Sequence, residues 1–274
     1  MAWLHSNLAV WLTQSSSASK MKETEQIELI RRASQLLSNS RYTVVLTGAG
    51  ISTASGIPDF RSQGTGLWQK NDPFQVASLT AFKYTPEKFF NWLRPLAKDI
   101  WQAKPNPAHI ALAQLEKAGW IKAIITQNID GLHQAAGAEN VIEVHGSATT
   151  LTCLSCHKSY PVSDFVQPFL MAGDMPYCPN CSSILKPDII LFEEMLPMNA
   201  WSQARQQCEN ADLILVIGSS LEVTPASSLP LYALENGAHL IINNFSSTYL
   251  DERADILLPM DIVVAVPGIA QLLE

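Results

Sequence analysis

One stretch constrains this chain more than any other. Tyr42 to Leu46 is a short, β-branched apolar run, and it passes directly into Thr47-Gly48-Ala49-Gly50-Ile51-Ser52. A run that is apolar throughout is the pattern of a strand buried on both faces of a parallel sheet. A strand, then glycines, then residues able to open a helix is the layout of a dinucleotide-binding turn. Gly48 and Gly50 permit the tight turn and let backbone N–H groups approach a pyrophosphate with no Cβ in the way. The third glycine of the usual fingerprint is absent, Thr53 standing in its place. A plain tight turn would carry Gly-Ala-Gly as readily. The continuation Gly56-Ile57-Pro58-Asp59-Phe60-Arg61 is more specific, because it sets a charge pair and an aromatic in a loop.

The rest of the chain repeats the theme. Residues 121–126, 188–192, 213–217 and 239–242 are further buried-strand runs, the later two ending in polar turns. Between them lie helical segments. Ile27, Ile30, Ala33, Leu36 and Leu37 mark one over 24–38; prolines open others at 73–82, 86–103 and 107–118, the last closed by Gly119; 199–209 is another. Strands alternating with helices predict an α/β protein with an open parallel sheet covered on both faces. The polar, glycine-bearing stretch 62–72 reads as a mobile loop. At 274 residues, 47% hydrophobic and 16% charged, the chain can bury a large core and still carry a second, smaller domain.

Residues 150–187 change character. Cys153 and Cys156, then 21 residues, then Cys178 and Cys181 form two Cys-x-x-Cys knuckles. Four thiolates make a closed tetrahedral set, so the spacing predicts a structural zinc with no open position for water. Disulfides are the rival reading, which a chain of cytosolic character disfavours. His157 flanks a knuckle and reads as solvent-facing, since four cysteines suffice. Cys208 reads as a buried helix residue without a role.

Composition narrows the partners. A net charge of −7 disfavours a nucleic-acid backbone, and neither knuckle lies in a basic patch. No apolar run approaches the roughly 20 residues that cross a bilayer. The apolar patch over 8–12 lacks a preceding Lys or Arg and a following Ala-x-Ala, which argues against a secretory signal. A cytoplasmic protein with no direct nucleic-acid or membrane partner is expected. Residues 1–20 read as a disordered leader, or as sequence upstream of the true start.

Ligands of open α/β sheets bind at the carboxyl ends of the strands. Four polar motifs fall there: Gly48-Ala49-Gly50, Gln127 to Asp130, Gly218-Ser219-Ser220 and Asn243-Asn244. Together they suit a ligand rich in sugar and phosphate. His145, after Val141 to Val144, is the well-placed general-base candidate. His133 reads as capping a short helix, and His109 and His239 as lying within apolar elements.

In these motifs the chain closely resembles the sirtuins, the NAD-dependent protein deacylases. The resemblance covers about residues 22–270 and rests on Gly48 to Ser52 with Gly56 to Arg61, Thr126 to His133, His145-Gly146, the four cysteines, Gly218 to Leu221 and Asn243. It implies a Rossmann-like domain over 21–61, 106–149 and 188–274. It implies a smaller domain joining a zinc ribbon over 150–187 to a helical module over 62–105. NAD would lie with its pyrophosphate at Ala49-Gly50 and Ser219-Ser220, and its adenosine near Asn243 and Met260. Ile57, Asp59, Asn128, Ile129 and Asp130 would bound the nicotinamide pocket. Gln127 would belong to the same cofactor set, Phe60 would shield the sugar face, and Arg61 would hold loop and phosphates. The implied partner is a protein carrying an acylated lysine, whose amide oxygen displaces nicotinamide. His145 would then act as base on the ribose hydroxyls, and Asn128 and Asp130 would complete the catalytic set. The products would be nicotinamide, free lysine and O-acyl-ADP-ribose. A mono-ADP-ribosyltransferase on the same fold shares every cofactor residue and is the alternative.

Two departures bear on substrate. The family's Phe-Gly-Glu substrate loop reads Phe192-Glu193-Glu194 here, and by the same resemblance Val223 would line the peptide groove. In place of the Tyr-x-x-Arg pair of succinyl- and malonyl-specific sirtuins stand Leu93 and Leu96, which implies a pocket for neutral acyl groups.

Overall fold

The computed structural model describes residues 21–60, 66–69 and 71–273; the expected leader and the expected site residue Arg61 lie outside them. The first half contains α1 (Glu23–Asn39), β1 (Thr43–Thr47), α2 (Pro73–Val76), α3 (Leu79–Tyr84), α4 (Pro86–Gln102), α5 (Pro107–Lys117), β2 (Ile121–Thr126), α6 (Leu132–Ala135) and β3 (Val141–Glu143). The second contains β4 (Gly146–Cys153), β5 (Ser159–Pro161), α7 (Val166–Met171), β6 (Leu185–Ile189), α8 (Met198–Asn210), β7 (Leu213–Ile217), α9 (Leu229–Glu235), β8 (His239–Asn243), β9 (Ile256–Leu257) and α10 (Ile262–Gln271).

Six strands form one sheet in the order β3-β2-β1-β7-β8-β9, and every pairing in it is parallel. All five residues of β1 and of β7 are buried. Their side chains alternate between two layers. Val45, Leu213, Leu215 and Ile217 pack under α1, α5 and α10, through Ile30, Leu37, Leu112 and Val266. Val44, Leu46, Ile214 and Val216 face α8 and α9, through Ala204, Cys208, Leu229 and Ala233. Two covered faces are why these strands read as unbroken apolar runs. Cys208 is accordingly a core residue.

The second unit is smaller. β4 pairs antiparallel with β5 on one side and β6 on the other. An aromatic cluster of Phe82, Phe89, Phe90 and Phe169 joins the helical segment to α7, with ring centroids 5.0–6.1 Å apart. Together these features are the Rossmann-like sheet with a smaller cysteine-ribbon and helical part that the sequence implied.

Two expectations need correction. The helix read over 73–82 breaks at Ala77 and Ser78, because the chain leaves the helix there to pair with the loop at Phe192. Phe192 N–H donates to the Ala77 carbonyl at 3.0 Å and Leu79 N–H to the Phe192 carbonyl at 3.0 Å, while the Ser78 hydroxyl caps α3 at Ala81 N. The strand read over 188–192 begins at Leu185 and ends at Ile189, and it joins the small sheet because Leu185 and Ile189 bury there against β4.

Candidate active site

The strand order turns back between β1 and β7, and that reversal opens a crevice at the carboxyl ends of the strands. The two turns that border it are bonded backbone to backbone. Gly48 N–H donates to the Ile217 carbonyl at 3.0 Å and Gly50 N–H to the Gly218 carbonyl at 2.9 Å. A Cβ on Gly48 would meet Gly218 O at 2.7 Å, and one on Gly50 would meet Gly218 Cα at 2.8 Å. Gly218 (φ +62°) would place its own Cβ 2.4 Å from Ile51 N. The glycines expected to make room for a phosphate therefore first make room for each other. After them the chain winds into a 3-10 turn over Ala49–Ser55, ended by Gly56 at φ +89°.

Over this crossing lies a cavity of about 1010 Å³. Its floor is polar: Gly48, Ala49 and Gly50 from one turn, Gln127 to Asp130 from another, Gly218 to Ser220 from the third. Ile57, Asp59 and Phe60 line its side, as the sequence placed them. Hydrogen bonds lock the floor. Asn128 Nδ2 donates to Gly48 O at 3.2 Å and to Ser52 Oγ at 3.1 Å, and Ser52 Oγ donates to Asp130 Oδ2 at 2.7 Å. Asp130 Oδ1 accepts from Leu132 N–H at 2.9 Å, and Gln127 Nε2 donates to Ser219 Oγ at 2.9 Å.

His145 sits at the joint between the sheets, after β3 and before β4, and lines the cavity. Its Nδ1 lies 3.0 Å from the Gln127 carbonyl. A carbonyl only accepts, so Nδ1 carries the proton and neutral Nε2 keeps its lone pair. Burial lowers the imidazole pKa below the usual 6.5, opposed by the Gln127 bond. Ile190 N–H donates to the His145 carbonyl at 2.8 Å, which ties the histidine to the loop opposite.

That loop, Ile190 to Leu196, forms one wall and includes the expected substrate residues Phe192 and Glu193; Val223 lines the cavity too. Glu193 adopts φ +75°, a region that favours glycine. Its Oε2 accepts from Thr80 N–H at 2.9 Å in the first turn of α3, and the Thr80 hydrogen bonds lower its carboxyl pKa. Glu194 reaches the other way, to Lys186 Nζ at 2.9 Å and Leu191 N–H at 2.8 Å.

Two expected residues stand apart. Asn243 is 2% exposed and does not line the cavity; its Nδ2 clasps the Leu258 and Met260 carbonyls at 2.7 and 2.9 Å. Met260 is likewise buried beneath. Sequence reasoning also missed Trp68 and Trp92. Phe60, Trp68 and Trp92 stack with centroids 5.0 and 5.6 Å apart along the cavity wall. Trp68 lay in a stretch read as polar loop, and nothing in the spacing marked it. The histidine readings change as well. His133 is buried within α6 and bonds Thr47 Oγ1 at 3.0 Å, so it caps nothing. His239 is exposed and pairs with Asp255 at 2.9 Å.

The four cysteines converge, their sulfurs all within 4.8 Å of one another. Cys153 and Cys181 sulfurs lie 3.4 Å apart, and Cys156 and Cys178 sulfurs 3.6 Å. A disulfide needs about 2.05 Å. Four sulfurs about 2.3 Å from a tetrahedral zinc lie under 4 Å from each other, which these separations match. The two knuckles repeat one geometry: His157 N–H returns to Cys153 O and Ser182 N–H to Cys178 O, with φ of 59° and 60°. His157 is exposed. Tyr160 Oη lies 3.4 Å from Cys178 Sγ, close enough to orient a thiolate.

Fold and site define a doubly wound α/β protein with a ligand cavity at its switch point and a four-cysteine module beside it. The Sir2 family profile matches residues 48–225. An Archaeoglobus fulgidus NAD-dependent protein deacylase 2 is 46% identical over 228 residues, 83% of this chain and 89% of that protein. A Thermotoga maritima NAD-dependent protein deacetylase is 44% identical over 228 residues, 83% of this chain and 92% of its own. A solved Sir2–p53 peptide–NAD+ structure superposes with a TM-score of 0.81 at 41% identity, covering 88% of this chain and 97% of that one. The chain belongs to the Sir2 family.

Proposed function

We propose that the protein is an NAD-dependent protein-lysine deacetylase that removes neutral acyl groups and yields nicotinamide, O-acyl-ADP-ribose and free lysine. One observation carries the reading: a half-buried His145 holds its proton on Nδ1, toward Gln127 O, and keeps Nε2 free in a cavity of about 1010 Å³ at the switch point. Its family membership, with relatives named as NAD-dependent deacetylases and a neighbour bound to NAD+ and peptide, supports the same assignment.

The residues present suit NAD. The cavity volume matches a small-molecule site. Hydroxyl and amide groups of Gln127, Asn128, Ser219 and Ser220 line it beside the start of a 3-10 turn. Bound NAD supplies an electrophilic ribose carbon with nicotinamide as leaving group. Asp130, fixed through both oxygens, retains lone pairs to accept from a carboxamide; Ile57, Asp59 and Ile129 bound that end. His145 Nε2 takes a proton from a ribose hydroxyl, a step typically contributing about 10²–10⁴-fold. Phe60 lines the site and would shield the sugar face. Asn243 acts at one remove, by holding the backbone at Met260. No protein nucleophile is needed, because the amide oxygen of the acyl-lysine attacks.

The acyl group faces apolar walls. Leu93 and Leu96, 7% and 5% exposed, lie on one face of α4 with Trp92 and Ile100. Among the described lining residues there is no Lys or Arg to pair with a succinyl or malonyl carboxylate. Arg94 turns away, donating to Gly173 O at 2.9 Å with its guanidinium over Phe169. Zinc, held by Cys153, Cys156, Cys178 and Cys181, is structural. No described helix is long and apolar enough to cross a membrane.

The test is product analysis with NAD and acetyl-, propionyl- and succinyl-lysine peptides, comparing wild type with His145→Ala. Nicotinamide and O-acyl-ADP-ribose appearing in step with free lysine from the neutral peptides, and lost in His145→Ala, is the expected result. Nicotinamide with ADP-ribosylated protein and no O-acyl-ADP-ribose would overturn it in favour of transfer to protein.

A further inference from the structure

Beneath the cavity floor lie two histidines that the proposed chemistry does not use. His109 and His133 are 0% and 1% exposed, and their rings meet at 62° with centroids 4.9 Å apart. Hydrogen-bond direction can be read from either end of the pair, because an amide N–H can only donate. Asn106 N–H donates to His109 Nδ1 at 3.4 Å, so neutral His109 carries its proton on Nε2. At the other end the Thr47 hydroxyl donates to Thr126 Oγ1 at 2.9 Å. Thr47 must then accept from His133, whose Nε2 lies 3.0 Å away, and this leaves His133 Nδ1 bare. His109 Nε2 and His133 Nδ1 are both buried and unpartnered. One is a donor and the other an acceptor, on neighbouring rings.

We propose that His109 and His133 are positioning residues: a one-directional relay, Asn106 to His109 to His133 to Thr47 to Thr126, which seats the Asn128 end of the cavity. Neither nitrogen has a protein partner, so the histidine-to-histidine link runs through a single bridging water. Both ends of the relay grip the same 3-10 turn. At the far end Asn128 N–H donates to Thr126 Oγ1 at 3.0 Å, and the Asn128 amide bonds Gly48 O and Ser52 Oγ. At the near end Asn106 Nδ2 donates to Ile51 O at 2.7 Å and Ser55 Oγ at 3.0 Å. Reversing either tautomer would set two donors or two acceptors face to face, at the cost of a buried unsatisfied group. Burial holds both rings neutral, with pKa values lowered to about 4 for His109 and about 3 for His133. Neutral rings are what a one-directional relay requires.

The relay rests on the deacetylase reading only for its kinetic arm. The other arm is 15N–1H NMR of the imidazoles in the full-length wild type, which needs no turnover. Both rings are expected as Nε2–H tautomers, neutral through pH 6.5, with a slowly exchanging His133 Nε2–H. Either ring found as the Nδ1–H form, or titrating at its ordinary value, overturns the relay whatever the protein catalyses. For kinetics, His133→Leu removes both polar ends, whereas His133→Gln places an amide N–H2 where Nε2 stood. His133→Leu should raise the NAD KM and the nicotinamide inhibition constant about tenfold, with the peptide KM moving less than about twofold. His133→Gln should recover most of the loss. NAD and peptide KM rising together, in proportion to the fall in Tm and without rescue by Gln, would mean a packing role only. Absence of any turnover in the wild type would count against the enzyme assignment and leave the NMR arm to decide the relay.

Discussion

The switch point of the large sheet and the cysteine module are both turns held at close quarters, by opposite means. At the switch point Gly48, Gly50 and Gly218 lack side chains, so two backbones meet within hydrogen-bonding distance. Behind them stand two large apolar layers that fix the strands regardless of any ligand. The cysteine module has almost no core. Its buried cluster is Leu151, Cys153, Cys178 and Leu185, and two of those four are themselves ligands. Where hydrophobic burial is plentiful, precision comes from leaving atoms out; where it is scarce, it comes from a metal.

The comparison breaks most visibly if the metal is removed. Structural zinc sites carry apparent binding free energies of about 10–16 kcal/mol, which here replace a core. A strong chelator, or Cys178→Ser, should therefore expose the stretch around 150–184 to limited proteolysis. Tyr160 and Phe165 should lose near-ultraviolet dichroism while the six parallel strands stay protected from hydrogen exchange. Loss of protection throughout the large sheet at the same chelator concentration would show that the module is no separate unit.

The converse experiment adds one methyl group. Gly218→Ala puts a Cβ 2.4 Å from Ile51 N at φ +62°, so backbone must shift. Overpacking of this kind costs about 3 kcal/mol, and the shift would also disturb Gly48 and Gly50. Denaturant unfolding should show the loss with the metal still bound. Full stability in Gly218→Ala would mean that the turns have slack, and that the cavity floor is less rigid than its contacts imply.

These two regions also differ in how far the sequence announced them. Strand, glycine turn and Cys-x-x-Cys pairs are local patterns with short-range physical causes, and each appears where its spacing implied. Asn128, Asp130 and His145 follow because they sit at strand ends, which a parallel sheet aligns. What stayed hidden depends on contacts between distant segments. Trp68 gained its place by stacking on Trp92, 24 positions along the chain, and no spacing encodes that. The break at Ser78 arises from pairing with Phe192, a partner supplied by a different element. Asn243 was legible as a strand-end polar residue, yet which way its amide turned depended on carbonyls contributed by the segment after β9.

Acid offers a subtler probe of the switch-point side. His109 and His133 have folded pKa values of about 4 and about 3, below the ordinary 6.5. Between 6.5 and those values the unfolded chain binds protons that the folded chain refuses, so stability is full above pH 6.5 and declines as pH falls. Urea midpoints measured from pH 7 downward should fall on this account, and in a His109→Leu/His133→Leu double variant the slope should flatten. A slope unchanged in the variant would assign the acid sensitivity to other groups. His145 shares the direction of shift, so the acidic limb of activity should lie below pH 6.5.

The smallest effect is expected where the two regions meet, in the loop from Ile190 to Leu196. Glu194 fastens it toward β6 through Lys186, and Glu193 fastens it toward α3 through Thr80. Glu193 does so from φ +75°, where glycine would be at ease. Two influences therefore oppose each other at one residue: backbone strain favours glycine, and the bond to the helix N-terminus favours the carboxylate. Glu193→Gly relieves the first and forfeits the second. Global stability should then change little, while the loop loosens and the peptide KM rises about threefold with the NAD KM unmoved. Glu193→Gln keeps an acceptor for Thr80 N–H at the same reach and should sit between wild type and Glu193→Gly. If Glu193→Gly instead binds peptide as well as wild type, the carboxylate is incidental and the pairing of Ser78 with Phe192, with the Glu194 contacts, is enough to seat the loop. In that case the wall at Phe192, like the floor where Gly48 and Gly50 meet Gly218, is held by backbone meeting backbone.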